Sequence, residues 1–131
     1  MIRLMYDSAG GRAIGSAIDI PANAGEAYKV GEALVISGGK ATKCGATSKP
    51  THICSQNLGA DESDHVVAYP ISGTMVFETV LTAAPASLAT GSKVTLAADG
   101  LGVTATTSSG VAEIVDLRGA TKVGDLITIK F

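Results

Sequence analysis

Tryptophan is absent from these 131 residues, and aromatic side chains make up only 4% of them. Stacking platforms for bases and sugars are built from such rings, so single-stranded nucleic-acid and carbohydrate binding lose their usual means. Charge is scarce too, at 17%, with ten Lys and Arg against twelve Asp and Glu. The basic residues are scattered singly, which removes the electrostatic footprint of a nucleic-acid-binding protein. No apolar run approaches the length of a membrane-spanning helix, and the start MIRLMYDSAGGR holds too short an apolar stretch for a signal peptide. The expectation is a soluble protein made in the cytoplasm, with neither nucleic acid nor membrane as partner. Two cysteines, Cys44 and Cys54, are too few for a disulfide framework. They could bridge only if strand pairing aligned them, and reduced, buried thiols are the expectation.

What is present is small and β-branched: Ala, Gly, Thr, Val and Ser dominate, a composition suited to strands and turns rather than solvated helices. A chain of this length is one domain and can bury a core without staples. Its organising phrase is YKVGEALVISGG, beginning at Tyr28, in which Gly31 turns the chain and Leu34 and Ile36 then share a face. The phrase returns around Gly91 as LATGSKVTLAADG and around Gly124 as TKVGDLITIKF. Gly31, Leu34 and Ile36 each stand sixty residues before Gly91, Val94 and Leu96; beyond them the register slips, so that Thr42 answers to Thr104 and Ile53 to Val111.

Two three-stranded meanders follow from this pattern, one over residues 28–57 and one over residues 88–117. The first has a strand ending at the Gly38-Gly39 turn and strands through residues 40–44 and 51–55, the second has strands through residues 93–97, 103–107 and 111–115. A hairpin over residues 66–71 and 74–81 separates them, and residues 125–131 form a closing strand. Residues 83–88 allow one helical turn at most, because Pro85 interrupts them. The fold class expected is all-β, a small barrel or sandwich of two related meander units over residues 28–131. Residues 1–27 differ: glycine-rich, with one short strand at residues 17–20 stopped by Pro21, they are expected as a poorly structured arm that orders on a partner.

Reactive groups are present without a reactive pattern. Cys44, His52, Cys54 and His65 offer soft ligands, but only His52 and Cys54 are close, and side chains two apart on a strand do not chelate readily. Asp61, Glu62 and Asp64 form an acidic loop lacking the glycine and length of a calcium loop. The stretch from Ala9 to Gly15 is glycine-rich without the Gly-Lys-Ser/Thr ending of a phosphate cradle. No Gly-x-Ser-x-Gly elbow accompanies the serines. Neither a catalytic residue, a metal ligand nor a cofactor site is assigned, and a small β-barrel hydrolase is the weaker alternative.

The phrase at residues 30–42, the block from Gly91 through Ala105, residues 110–116 and the closing Gly119-Ala120 and residues 124–129 together resemble the capsid decoration, or cement, proteins of tailed bacteriophages. The resemblance covers residues 28–131. It implies a non-catalytic β-rich protein, often a homotrimer, that binds the major capsid protein on the outside of an assembled head and stiffens the shell. It also implies an N-terminal arm lying along the capsid, which places Arg12, Ile14, Ile18 and Ile20 as capsid contacts by position alone. A fibre-base or tail-associated β domain is the alternative virion role.

Overall fold

A computed structural model describes residues 1–9 and 17–131. Every regular element among them is a strand: β1 (Arg3–Asp7), β2 (Ile18–Pro21), β3 (Ala33–Ser37), β4 (Lys40–Lys43), β5 (His52–Cys54), β6 (His65–Pro70), β7 (Met75–Leu81), β8 (Lys93–Val94), β9 (Gly102–Val103), β10 (Ala112–Asp116) and β11 (Leu126–Lys130). Each expected strand has a counterpart with its ends moved by one or more residues, and the one expected over residues 103–107 shrinks to Gly102–Val103. Residues 83–88 make a single turn closed by Leu88 N–H on Pro85 O at 2.7 Å, and no helix.

The strands form two sheets packed as a sandwich, so the all-β class holds and of the two architectures it is the sandwich that forms. One sheet runs β2-β6-β5-β3-β4 and the other β1-β7-β11-β10-β8, with β9 on β7. Adding five to each label of the first order gives β7-β11-β10-β8-β9, the path of the second. The path is completed because residues 95–97 run beside residues 102–106, with Ala97 N–H donating to Gly102 O at 2.8 Å and Thr104 N–H to Thr95 O at 2.9 Å. Each sheet also curls enough to bring its first strand into a short parallel contact with its last, Ala22 with Ala41 in one and Leu81 with Val103 in the other, without closing a barrel. The chain is therefore a tandem of two five-stranded units, and β1 is an additional strand laid along β7.

The pairing corrects the meander expectation. In each unit the third strand lies beside the first, not beside the second: Leu34 pairs with His52 and Ala33 with Ile53, as Val94 pairs with Ala112 and Lys93 with Glu113. The sixty-residue offset thus continues unbroken into this strand, and the partner of Ile53 in the second unit is Glu113 rather than Val111. The offset of sixty-two between Ala41 and Val103, by contrast, is the slip read from Thr42 and Thr104.

The expected N-terminal arm is also corrected in its described part. Strand β1 pairs with β7 through Arg3 opposite Glu78, β2 pairs with β6 through Ile18 opposite Ala68, and Ile2 is buried in the main core. Backbone donors and acceptors in so apolar a segment are satisfied best by sheet neighbours, and both units have an edge to offer. Pro21 ends β2 inside the strand rather than stopping it short, which an edge position permits.

Two apolar clusters hold the sandwich. The larger gathers Phe77, Leu81, Val94, Leu96, Ile114, Ile127 and Ile129 with Ala33 and Ile53 from the other sheet. The smaller lies within the first unit, around Tyr28, Leu34, Cys54, Leu58 and Val66. Neighbouring residues alternate between them, Ala33 and Ile53 facing one and Leu34 and Cys54 the other, as a strand buried on both faces requires. Tyr28 closes the smaller cluster. Its hydroxyl donates to Ala41 O and accepts from Asn23 N–H, both at 2.8 Å, and burial raises its pKa.

Candidate interaction surface

The groups that could do chemistry are separated and occupied. Cys44 belongs to the larger cluster and Cys54 to the smaller, both as free thiols. Each thiol donates to a nearby carbonyl at 3.0 Å, Cys44 to Ser48 and Cys54 to Gln56. Desolvation pushes Cys44 up to about 11 and raises Cys54, which keeps both protonated and poor nucleophiles. His52 is half-buried, hydrogen-bonded to Thr51 Oγ1 at 2.9 Å, and lowered in pKa by that burial. His65 is exposed and pairs with its neighbour Asp64. Among the described residues no three His, Cys, Asp or Glu side chains converge as a metal site would need.

The acidic loop is structural in the same sense. Asp61 accepts from Gly25 N–H at 2.8 Å, and Glu62 accepts from Gly59 N–H at 2.6 Å. Glu62 thereby repeats a device used three times elsewhere. In the turns at residues 29–32, 89–92 and 122–125, the fourth residue donates its N–H to the first residue's carbonyl, at 3.0, 3.0 and 3.3 Å. Its side chain reaches back to the first residue's N–H: Glu32 to Lys29 at 3.0 Å, Ser92 to Ala89 at 3.1 Å, Asp125 to Lys122 at 3.0 Å. The third residue is Gly31, Gly91 or Gly124, each at positive φ. The three phrases of the sequence are three copies of one capped turn.

What the surface offers instead is apolar side chains in small groups. Met1 and Val30 flank a groove of about 330 Å³ that is floored by Ile2, Leu4 and Tyr69. Val123 and Leu126 stand out beside the last capped turn, and Val30 and Val123 hold the same position in their respective turns. Ile18 and Ile36 form a third group, 47% and 40% exposed. Of the contacts expected by resemblance, Arg12 and Ile14 lie outside the described residues. Ile18 is exposed, whereas Ile20, at 6%, is spent on the smaller core. Val30 and Val123 carried a signal that went unused: an apolar residue at the outer corner of a turn has no neighbour to pack on.

One charged cluster ties the N-terminal strand to the body. Glu78 on β7, 7% exposed, accepts from Arg3 at 2.5 Å and from Arg118 on the loop after β10. Chiefly through Arg118, these bonds hold its carboxyl below the ordinary range.

A scan against protein-family models and a search of curated proteins each return no match. Among solved structures, the chain is similar to the N base of the head fibre gp8.5 in bacteriophage phi29. The likeness has a TM-score of 0.59 and covers 88% of this chain and 93% of that one at 16% identity. At that identity the likeness is one of fold. It extends over most of both chains, so it takes in both sheets and not one alone.

Proposed function

We propose that this chain is a non-catalytic structural component of a tailed-phage virion, mounted as a homotrimer on the outside of the head and bound to the major capsid protein as a decoration protein. The observation that supports this most is the fold likeness to a phage head-fibre base over nearly the whole of both chains. The arrangement suits the role. Cementing needs apolar surface withdrawn from water at several junctions at once, and weak contacts repeated around a threefold axis multiply into tight attachment. Apolar groups at separated turn tips and strand ends supply such contacts, while both thiols and Glu62 are hydrogen-bonded to the chain's own backbone.

A second reading is favoured by the same neighbour, which is itself a fibre base: the chain would then anchor a projecting fibre. Co-sedimentation separates both from the alternatives. Purified protein added to heads that lack it should pellet with them and not with purified tails. Electron micrographs of those heads then divide the two readings, since decoration leaves density at many lattice sites without a shaft and a fibre base leaves one.

A further inference from the structure

Four turns among the described residues share one geometry. In those at residues 29–32, 59–62, 89–92 and 122–125 the fourth residue donates its N–H to the first residue's carbonyl, at 3.0, 3.2, 3.0 and 3.3 Å, and its side chain accepts from the first residue's N–H. The third residue, Gly31, Asp61, Gly91 or Gly124, lies at positive φ. The last two positions are thus set by the turn itself. The first two are not, since the same bonds form around Gly59-Ala60 and Ala89-Thr90 as around the others. Both remaining turns nevertheless begin with the same pair, Lys29-Val30 and Lys122-Val123.

The duplication of the fold does not account for the match. Residues 29–32 lead into β3 and residues 89–92 into its counterpart β8, while residues 59–62 precede β6 and residues 122–125 lead into its counterpart β11. Equivalent turns therefore differ, and it is the non-equivalent ones that agree. Packing does not account for it either: Val30 is 37% and Val123 60% exposed, and each has a second exposed apolar side chain nearby, Met1 or Leu126. The two lysines are exposed as well. Their charge is locally mixed, because Glu32 with its partner Lys43 belongs to one turn and Asp125, with Arg118 near it, to the other. What the two tips have in common to offer is an apolar corner.

The tips stand close together. Ile2 N–H donates to Gly31 O at 2.9 Å, the next residue, Arg3, lies opposite Glu78, and three residues along β7 the carbonyl of Leu81 accepts from Gly124 N–H at 2.8 Å. Three strand spacings and a few residues of rise put the tips on the order of 15 Å apart. That is too far to enter one recess and near enough to reach two on neighbouring subunits around a symmetry axis. We infer that the Lys29-Val30 and Lys122-Val123 tips are two copies of one contact, each seating its valine in the same apolar recess on two neighbouring copies of one virion protein. Each contact is small, and engaging both at once supplies the affinity. The inference deepens the virion reading by naming the residues and the chemistry of the partner, and it rests on that reading only for where the partner resides.

The test adds the full chain, over a concentration series, to heads that lack it and to purified tails, and measures what pellets with each. Val30→Ser and Val123→Ser should each weaken binding to heads by about tenfold or more and by similar factors, and the double variant should not pellet. Thr90→Ser and Ala60→Ser, at the same position of the other two turns, should bind as the unaltered chain does. Melting curves of all four single variants should coincide with that of the unaltered chain. A benzophenone amino acid placed at position 30 or at position 123 should, on irradiation of the loaded heads, crosslink to the same peptide of the same protein. Loss at only one valine, equal loss from Thr90→Ser, or crosslinks to two different peptides would overturn the paired contact. Binding to heads undiminished in both valine variants would overturn it too and leave the virion reading standing. Crosslinks from both positions to one peptide of a tail protein would instead keep the paired contact and remove the head from that reading. No binding to either particle would overturn both.

Discussion

Gly31 and Gly91, sixty residues apart, both donate their N–H at 2.8 Å to strand carbonyls, those of Cys54 and Ile114, which are also sixty apart. Their φ angles of 80° and 90° lie where a Cβ meets the backbone. The surroundings differ. A Cβ on Gly91 would point into open space, whereas one on Gly31 would fall 2.1 Å from Met1 Cγ and 3.0 Å from Ile2 N. Gly91→Ala should therefore cost about 1–2 kcal/mol, the left-handed strain alone. Gly31→Ala should cost more, about 2–4 kcal/mol, because the Met1 side chain and the Ile2 backbone must also give way. Urea midpoints of the two variants check this, and equal losses would contradict it.

The N-terminal strand belongs to the fold. Deleting residues 1–7 removes β1, Ile2 from the larger core and the Arg3 partner of Glu78. Burying one such isoleucine is worth about 1.5–3 kcal/mol by itself. The truncated chain should therefore melt well below the full chain in circular dichroism. An unchanged transition would restore the free arm.

Two carboxylates with little exposure should leave opposite marks on the pH dependence of stability. Glu78 is held below its ordinary 4.5 by Arg118 and Arg3, so its contribution is present above that value and lost as the pH falls through its lower folded value. Glu32 is raised, chiefly by desolvation, although Lys29 N–H and Lys43 oppose this. Its ionisation therefore disfavours the fold, and that contribution declines as the pH rises from 4.5 through its folded value. Glu78→Gln should flatten the acid limb and lower stability at pH 7. Glu32→Gln should remove the opposing slope above pH 4.5 and leave stability at pH 7 nearly unchanged or higher. Denaturation midpoints between pH 3 and 7 read both; one common slope change for the two variants would contradict the assignment.

The thiols give a simple probe of burial. With Cys44 near 11, about one molecule in a thousand carries that thiolate at pH 8. Neither cysteine should react with a disulfide reagent in the native protein, and both should react at once in denaturant. Fast native labelling at either position would show that its cluster opens.

Much of this architecture was legible in residues 28–131. Gly31, Gly91 and Gly124 each announced a turn, and the alternation at Leu34 and Ile36, or Val94 and Leu96, announced the strand beyond it. Strand order was not legible, because β5 and β10 pair with the first strand of their unit, and alternation fixes a face without naming a neighbour. Strand β1 was missed because its length is irregular: its register breaks between Leu4 and Tyr6, so the apolar residues do not keep a period of two. The first and last strands of each unit, β2 with β6 and β7 with β11, show almost no shared residues, since Ile18 answers Phe77 and Ala68 answers Ile129.

The central claim is a place on the head of a virion, and cryo-electron microscopy of particles assembled with and without this chain tests it most directly. The account predicts threefold density with two curled sheets per subunit on the outer head surface, lost when the chain is withheld. Heads that look identical in the two preparations, or density confined to the tail, would contradict it.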